Sequence, residues 1–206
     1  NLEAIDFNIR ALINRCINVL SPKAEEKGLL FKAYIDNDVA PYLVGDPHRI
    51  NQILLNLLGN ALKFTEQGSV RLLVSCLHQK DAVQTLRFVV EDTGIGIENE
   101  FISELFTEFS QEDTSIVRKY GGTGLGLNIT KKLVELMKGS IGVSSQKNVG
   151  TAFSIELQLP IGNSANIKQA ENIVINPEIL TDKVILLVED NELNQEVALG
   201  LLGGEG

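Results

Sequence analysis

The 206-residue chain has few of the residues that mark several large classes of protein. It contains no tryptophan and only two cysteines, Cys16 in an apolar helical pattern and Cys76 in a strand pattern. Such thiols predict core residues in a reducing compartment rather than a zinc site or a disulfide framework. No apolar run approaches the ~20 residues of a membrane-spanning helix. The N-terminus also lacks the pattern of a signal peptide, so we expect no membrane contact by this chain.

Positive charge is scarce as well. Eighteen lysines and arginines stand against 27 acidic residues, which gives a net charge of −9. A phosphate backbone would be repelled unless a local basic patch existed, and none is evident, so we expect no nucleic-acid partner. Apolar residues make up 44% and charged residues 22%. Both values are ordinary for a globular protein and predict one sizeable core.

The length suits one domain of about 100 to 200 residues together with a remainder. We predict a first domain over residues 1–160 and a linker over 161–182, a stretch without a clear hydrophobic period. A second domain is expected to begin at 183. The apolar run 184–188, followed by a helical pattern, is typical of a strand and helix of a parallel sheet. One strand and one helix cannot bury a core, so residues 183–206 are interpreted as a truncated module.

Hydrophobic periodicity predicts alternating helices and strands in the first domain. A helix capped by Asp6 is expected to run to Ser21-Pro22, where the proline disturbs it. The clearest helix begins after Asp46 as N-cap and Pro47 at its first position, and it carries apolar residues at helical spacing from 50 to 62. The other predicted elements are strands over 29–35, 70–77, 86–91, 141–145 and 151–157, loops over 36–41 and 78–81, a short helix near 98–106 and a helix over 125–137.

The clearest helix also carries a polar stripe. Asn56, Asn60 and Lys63 are four and three residues apart, so they lie on one side of the helix beside its apolar face. Amide oxygens are hard ligands suited to Mg²⁺, and a nearby lysine can neutralise phosphate charge. Ordinary solvated helix surface is the alternative interpretation.

Asp92 follows an apolar strand and is itself followed by Gly94 and Gly96. Glycines there permit a tight backbone and the close approach of a planar ligand. A carboxylate in that position could accept a hydrogen bond from the exocyclic amine of adenine. A simple β-to-α turn capped by Asp92 is the alternative.

A glycine-rich loop over residues 121–126 opens the helix predicted over 125–137. That arrangement presents backbone N–H groups to phosphate. It lacks the Gly-Lys-Ser/Thr ending of a P-loop and does not follow a strand, as a dinucleotide fingerprint would. The polar stretch 110–120 before it, with Arg118 and Lys119, is long enough to form a lid over phosphates or simply a mobile surface loop.

Two phenylalanines and two histidines are predicted to have structural or surface positions. Phe106 and Phe109 are expected to pack the base of the segment that follows them, or to be ordinary core aromatics. His48 lies in the first turn of a helix and His78 in the predicted hairpin loop. Neither has neighbours typical of a metal site, so both are predicted to be surface residues.

Four segments described above resemble, taken together, the catalytic, ATP-binding domain of sensor histidine kinases. They are the polar stripe of the clearest helix, the Asp92 segment, the Phe106 and Phe109 pair, and the glycine-rich loop. Residues 45–65 are similar to the N box of that family, 91–97 to its first glycine box, 105–109 to its F box and 121–127 to its second glycine box. The likeness covers residues 1–160. It implies a two-layer α/β sandwich of the Bergerat type, in which helices pack on one face of a mixed, largely antiparallel sheet.

The resemblance also implies ATP and Mg²⁺ as cofactors and assigns roles to individual residues. Asn60 would ligate Mg²⁺, Asn56 and Lys63 would contact phosphate, Phe64 would flank the nucleotide, and Asp92 would bind the adenine amine. The other implied nucleotide-binding residues, from the glycine boxes and the lid, are Gly94, Gly96, Arg118, Lys119, Gly122, Thr123, Gly124, Leu125 and Gly126. No catalytic side chain is implied.

The C-terminal segment is similar to the start of a receiver domain, with Glu189 and Asp190 as its acidic pair. A receiver after a kinase core implies a hybrid sensor kinase of a two-component phosphorelay. The implied partners are a histidine-bearing dimerisation domain and a receiver domain or response regulator. The phosphoaccepting histidine and aspartate would both lie outside this sequence. The implied location is the cytoplasmic portion of a membrane-anchored sensor.

Two other functions stay open. An ATPase of the gyrase, MutL and HSP90 group, a GHKL-type ATPase, would share the fold. Those ATPases have a glutamate as general base where Asn56 stands, and an amide has no lone pair of comparable basicity. Asn56 therefore favours transfer to a protein histidine. A degenerate nucleotide-sensing or interaction module is the second alternative.

Overall fold

The computed structural model of the protein describes residues 2–102, 105 and 126–167. All of these residues belong to one compact unit. Phe106 and Phe109, the predicted lid and the segment predicted to resemble a receiver lie outside the described residues. The same holds for Arg118, Lys119 and residues 122–125. Within the described part, no helix combines the length and hydropathy needed to cross a membrane.

The described elements alternate along the chain. The helices are α1 (Ile9–Glu26), α2 (Pro47–Phe64), α3 (Asn99–Ile102) and α4 (Gly126–Leu136), followed by a 3₁₀ turn at Ser164–Asn166. The strands are β1 (Ile5–Asn8), β2 (Leu30–Ile35), β3 (Tyr42–Gly45), β4 (Ser69–Lys80), β5 (Val83–Asp92), β6 (Ser140–Gln146) and β7 (Gly150–Pro160).

Five of the strands form one sheet in the order β2-β4-β5-β7-β6. β2 pairs with β4 in parallel, whereas the other neighbours are antiparallel. The prediction of a mixed, largely antiparallel sheet is therefore confirmed. β1 and β3 form a separate antiparallel pair, which touches the main sheet through a bridge between Leu43 and Ile161.

The helices pack on one face of this sheet. α2 contacts β4 and β5, α1 contacts β2, and α4 contacts β6, while α1 and α4 both flank α2. The strands alternate accordingly, with Val70, Leu72 and Val74 of β4 buried and Arg71 exposed between them. Seven apolar residues of α2 are buried against this face. The two-layer α/β sandwich predicted from the sequence is thus confirmed.

The first helix differs from its prediction at both ends. Its N-cap is Asn8, whose Oδ1 accepts from the Ala11 N–H at 2.9 Å, and not Asp6, which lies in β1. The helix also continues through Pro22 to Glu26. A proline inside a helix deprives the carbonyl four residues earlier of its donor, but that residue, Asn18, is exposed to water. The Ser21 hydroxyl donates to the Ile17 carbonyl at 2.9 Å, which satisfies the neighbouring acceptor.

The sequence analysis missed two short strands, whereas the predicted hairpin between β4 and β5 is confirmed with a shorter loop. β1 and β3 have four residues each, too few for an alternating pattern to be recognised. Residues 78–80 continue β4 after a bulge at Cys76/His78 instead of forming a loop. The turn is confined to Asp81 and Ala82, and Asp81 adopts a left-handed φ of 54°.

The cysteines and histidines agree with their predictions. Cys16 is buried, its Sγ donates to Asn51 Oδ1 at 3.2 Å, and burial raises its pKa to about 11. Cys76 is partly buried against the core. His48 and His78 are both exposed. Across the described residues, no three His, Cys, Asp or Glu side chains are grouped to hold a metal.

Candidate functional site

The start of α2 is fixed by a buried carboxylate. Asp46 is only 4% exposed, and its oxygens accept from the N–H groups of Arg49 at 3.0 Å and Glu3 at 3.1 Å. Burial alone would raise the pKa of Asp46, but these hydrogen bonds and the charge of Arg49 lower it below its usual value. The predicted N-cap is therefore confirmed, and it also ties the N-terminal segment to α2.

The end of α2 is held by a residue that sequence reasoning missed. Lys27 Nζ donates to three carbonyl oxygens there, those of Leu62 at 2.7 Å, Lys63 at 3.2 Å and Thr65 at 3.0 Å. A cation at this position satisfies carbonyls that lack intrahelical partners and opposes the negative end of the helix dipole. Because Lys27 is 35 residues from Leu62 in sequence, no local pattern could have revealed the contact.

The polar stripe of α2 lies beside its buried apolar face. Its three residues, Asn56, Asn60 and Lys63, are all half-buried. Each side chain therefore packs against neighbouring residues and still has atoms exposed to solvent. Lys63 Nζ lies 4.8 Å from the centre of the Phe64 ring. Burial, and then the nearby charge of Lys23, lower the pKa of Lys63. An anion beside this ammonium would oppose both effects.

Asn56 connects the stripe to α4. Its Nδ2 donates to the Thr130 hydroxyl at 2.7 Å, and Thr130 is only 1% exposed. A Cβ on Gly126 would lie 2.6 Å from Asn56 Oδ1, so a side chain at position 126 would collide with the amide. The first residue of α4 and the N-box helix thus pack directly on each other. Thr130 was not anticipated from the sequence.

Asp92 lies at the end of β5 in a partly buried position. Its Oδ1 accepts from the Gly94 N–H at 2.8 Å. Burial raises the pKa of Asp92, although hydrogen bonds from the N–H groups of Gly94 and Thr151 act in the opposite direction. The carboxylate is therefore fixed in position but incompletely compensated, which favours a ligand that donates hydrogen bonds to it.

The two glycines after Asp92 are required by close backbone contacts. A Cβ on Gly94 would collide with the Phe64 carbonyl and lie 2.9 Å from Asp92 Oδ1. Gly96 has a left-handed φ of 63°, and a Cβ there would collide with the Gln146 carbonyl. The Ile95 N–H donates to the Phe64 carbonyl at 3.3 Å. The loop after Asp92 is therefore packed between the end of α2 and the turn joining β6 to β7.

This geometry brings the described site residues into two linked groups. Phe64 and Lys63 at the end of α2 adjoin the Asp92 loop through the Phe64 carbonyl, while Asn56 adjoins Gly126 at the start of α4. Asn60 lies between them on the same helix. A magnesium ion that arrives with a nucleotide usually takes one or two protein ligands and completes its shell with phosphate and water. A single amide oxygen of Asn60 fits that donor set.

Sequence reasoning also missed Ser145 and Thr151, on β6 and β7. Thr151 is the register partner of Asp92, and it is 8% exposed. The Ser145 hydroxyl lies 2.9 Å from that of Thr151. Ser145 forms no recognisable local motif, and the pairing of Thr151 with Asp92 joins strands about 60 residues apart in sequence.

A depression of about 410 Å³ is lined by residues of β4, β5, β6 and β7 at one end of the sheet. Its lining includes Arg71, Glu91, Ser144 and Ala152, and Arg71 and Glu91 form an ion pair at 3.0 Å. Of the described nucleotide-box residues predicted to bind a nucleotide, only Asp92 borders it. Ser145 and Thr151 also line it, so the depression adjoins the Asp92 end of the candidate site and does not reach the polar stripe of α2.

Comparison with known proteins gives consistent matches. The family model described as "Histidine kinase-, DNA gyrase B-, and HSP90-like ATPase" matches residues 45–161. The chain is 40% identical over 204 residues to the sensor histidine kinase AruS of Pseudomonas aeruginosa, covering 99% of this chain and 20% of that protein. It is 37% identical over 204 residues to the signal transduction histidine-protein kinase BarA of Escherichia coli K12, covering 98% of this chain and 21% of that protein.

Solved structures show the same likeness. Full-length ShkA in complex with AMPPNP matches with a TM-score of 0.69 and 32% identity, over 80% of this chain and 33% of that one. The nucleotide-free catalytic domain of the histidine kinase ThkA matches with a TM-score of 0.62 and 28% identity, over 77% of this chain and 96% of that one. The chain spans about a fifth of the length of the curated relatives AruS and BarA.

Proposed function

The chain belongs to the family of histidine kinase-, DNA gyrase B- and HSP90-like ATPases, and on that premise we propose that it is the ATP-binding catalytic domain of a hybrid sensor histidine kinase. It would bind Mg-ATP and present the γ-phosphoryl group to a histidine on a dimerisation domain outside this sequence. The observation that carries the proposal is the Asp92 site. A fixed, partly buried carboxylate with a raised pKa lies beside the end of the asparagine-bearing helix.

At the adenine end, the Asp92 carboxylate would accept a hydrogen bond from the 6-amino group. Its Oδ1 already accepts from Gly94, which holds the carboxylate without using all of its acceptor capacity. The compact Gly94 and Gly96 backbone would leave room for a planar base, and Phe64 would flank the nucleotide. Support comes from the burial of Asp92, since an incompletely compensated carboxylate gains from a donor in the ligand.

At the phosphate end, Asn60 would ligate Mg²⁺, and Asn56 and Lys63 would contact phosphate. The metal ion supplies neutralisation of phosphate charge when it is bound with the nucleotide. Lys63 would add a second positive charge, and phosphate beside it would relieve the effect of its burial. The lid residues Arg118 and Lys119, together with residues 122–126, would complete the phosphate site.

Asn56 favours phosphoryl transfer to a protein over hydrolysis. A hydrolytic enzyme needs a base to activate water, and the amide at this position is neutral. Its Nδ2 is already bonded to Thr130, so the side chain is fixed as part of the contact between α2 and α4. In the proposed reaction a histidine nitrogen would take the γ-phosphoryl group from ATP, with ADP as the leaving group.

The remaining parts of the proposal concern the whole protein. Residues 183–206 would be the beginning of a receiver domain after a linker over 161–182. The partners would be a dimerisation domain of the same protein and a receiver domain or response regulator. The chain would lie in the cytoplasmic portion of a membrane-anchored sensor. AruS and BarA are about five times as long as this chain, which supports the presence of further domains.

A calorimetric titration of the 206-residue chain with Mg-ATP tests the proposal, with Mg-GTP as the control nucleotide and released phosphate assayed in the same samples. We expect selective binding of ATP with negligible release of phosphate. Steady release would instead favour the ATPase function. Absence of binding would contradict the proposal and favour a degenerate interaction module.

A further inference from the structure

The Asn56 side chain lies against two residues of α4. A Cβ on Gly126 would lie 2.6 Å from Asn56 Oδ1 and 3.2 Å from its Nδ2, so the carboxamide packs directly on the Gly126 backbone. One turn later in the helix, the Thr130 hydroxyl lies 2.7 Å from Asn56 Nδ2. Residues four apart in a helix lie on one face. The first turn of α4 therefore provides both the space for this amide and a hydrogen bond to it.

Thr130 is a buried polar residue outside the four sequence boxes. It is only 1% exposed, whereas Asn56 is half-buried. Solvent therefore reaches the Asn56 side chain but hardly reaches that of Thr130. If the Thr130 hydroxyl were removed, the amide could bond to water instead, so its orientation would be lost at little cost to the fold.

The contact with Thr130 determines how the Asn56 amide is turned. The terminal torsion of an asparagine side chain is broad, so an amide without contacts adopts many orientations. A hydroxyl can donate or accept a hydrogen bond, and it therefore holds a carboxamide whichever end of the amide faces it. With one end held by Thr130 and one side against Gly126, the other end of the Asn56 amide keeps a constant direction. A phosphate contact made by that end then requires no further loss of side-chain freedom.

We propose that Thr130 is a positioning residue that holds the Asn56 amide in the orientation required to contact phosphate, and so increases the affinity of the site for the phosphate part of a nucleotide. This inference rests on the proposed function and deepens it. Because Thr130 acts through Asn56, it should not affect binding of the adenosine part, for which the proposed contacts come from Asp92 and Phe64.

The test compares the affinities of the 206-residue chain for Mg-ATP and for adenosine, which has no phosphate. Each ligand displaces a fluorescent ATP analogue labelled on the ribose, whose own affinity is first measured for every variant. The variants are Thr130→Val, which keeps the shape and removes the hydroxyl, and Thr130→Ser, which keeps the hydroxyl. Thr85→Val is the matched control. Thr85 is also buried, and its hydroxyl lies 3.0 Å from His78 Nε2, near the end of β5 away from Asp92.

In Thr130→Val we expect the affinity for Mg-ATP to fall by about two- to tenfold, the scale of fixing one mobile side chain on binding, and the affinity for adenosine to stay unchanged. Thr130→Ser should keep the ATP affinity, and Thr85→Val should match the unmodified chain. Thr130→Ala, which places no additional methyl group against the amide, should behave as Thr130→Val does. Equal losses of ATP and adenosine affinity would assign Thr130 a merely structural role and overturn the inference.

A double-mutant cycle with Asn56→Ala provides an independent measurement of ATP affinity. Asn56→Ala should itself lower this affinity, and adding Thr130→Val to it should lower the affinity no further, because both residues act through one amide. Additive losses, or full ATP affinity in Asn56→Ala, would overturn the inference. Failure of the unmodified chain to bind ATP would overturn the proposed function as well, whereas ATP binding that Thr130→Val leaves unchanged would overturn only the role of Thr130.

Discussion

Two charged residues of the candidate site are partly buried, and burial disfavours their charged forms. The Asp92 carboxylate is raised in pKa by burial even though two N–H groups donate to it, and the Lys63 ammonium is lowered in pKa by burial. Shifts of this kind concentrate at functional sites. Each charged group would be stabilised by a ligand of the appropriate chemistry, an amine proton for Asp92 and a phosphate for Lys63.

Replacement of Asp92 by asparagine should therefore lower the affinity for ATP without lowering the free energy of unfolding. The folded pKa of Asp92 is raised, so its ionisation destabilises the folded protein by an amount that grows as pH rises from the usual pKa to the folded pKa and stays constant above it. Asp92→Asn should be at least as stable as the unmodified chain at neutral pH and similar to it at low pH. Its ATP affinity should fall by about 1 to 3 kcal/mol, the value of a buried hydrogen bond. Urea unfolding and calorimetric titration measure the two effects, and unchanged ATP affinity would contradict the site assignment.

Asn60 should determine the response to magnesium. If its amide oxygen ligates the ion, Asn60→Ala should remove most of the dependence of ATP affinity on Mg²⁺. Titrations with Mg²⁺ and with EDTA should then give similar affinities for the variant but different ones for the unmodified chain. Asn51→Ala, on the same helix outside the stripe, is the control and should retain the dependence. A variant at Asn60 that still responds fully to Mg²⁺ would refute this role.

At the level of elements, α2 organises the site because both of its ends are fixed. Asp46 satisfies N–H groups at its beginning, and Lys27 satisfies carbonyls at its end. The Phe64 carbonyl then binds the loop that follows Asp92. The position of the polar stripe relative to the Asp92 loop therefore depends on contacts made by the last turn of one helix.

Lys27→Met tests this dependence, because methionine keeps the apolar stem and removes the ammonium. We expect the free energy of unfolding to fall by about 1 to 3 kcal/mol, since hydrogen bonds to a charged donor are lost at a helix C-terminus. Chemical denaturation would measure the loss. Lys32→Met, at an exposed position on β2, should change it by no more than about 0.5 kcal/mol. Equal effects of the two substitutions would show that the Lys27 contacts contribute little.

At the level of the whole molecule, the described residues form one helical layer on one face of a sheet. The core is the interface between them, built from α1, α2 and the inward residues of β4, β5 and β7. The opposite face carries charged pairs between neighbouring strands, Arg71 with Glu91 and Arg87 with Glu156. Each strand residue therefore contributes to stability according to the face it occupies.

Neighbouring leucines on β4 provide a matched test of this arrangement. Leu72 is fully buried against the helices, whereas Leu73 lies on the opposite face and is half-buried. Leu72→Ala should lower the free energy of unfolding by about 2 to 5 kcal/mol, because it leaves a cavity in the core. Leu73→Ala should cost clearly less. Denaturation curves for the two variants would decide, and similar losses would mean that the assignment of faces is wrong.

The amino-acid sequence by itself determined the class of fold, the main elements and the positions of the boxes. Helical spacing from residue 50 to 62 and the capping sequence Asp46-Pro47 predict α2 from local chemistry, and alternation predicts β5 and β7. Local patterns fail where stability comes from distant partners. β1, for example, is stabilised by its pairing with β3, and the end of α2 is held by Lys27.

Only the tertiary structure decided how the site residues meet. The sequence places Asn56 and Thr130 74 residues apart, yet their side chains are 2.7 Å apart, because α4 packs against α2. The Lys27 contacts with the end of α2 and the approach of Ser145 and Thr151 to Asp92 likewise follow from strand register and helix packing. Local propensity acts over a few residues, whereas such contacts are fixed only when the whole core assembles, so a single sequence predicts the boxes but not their connections.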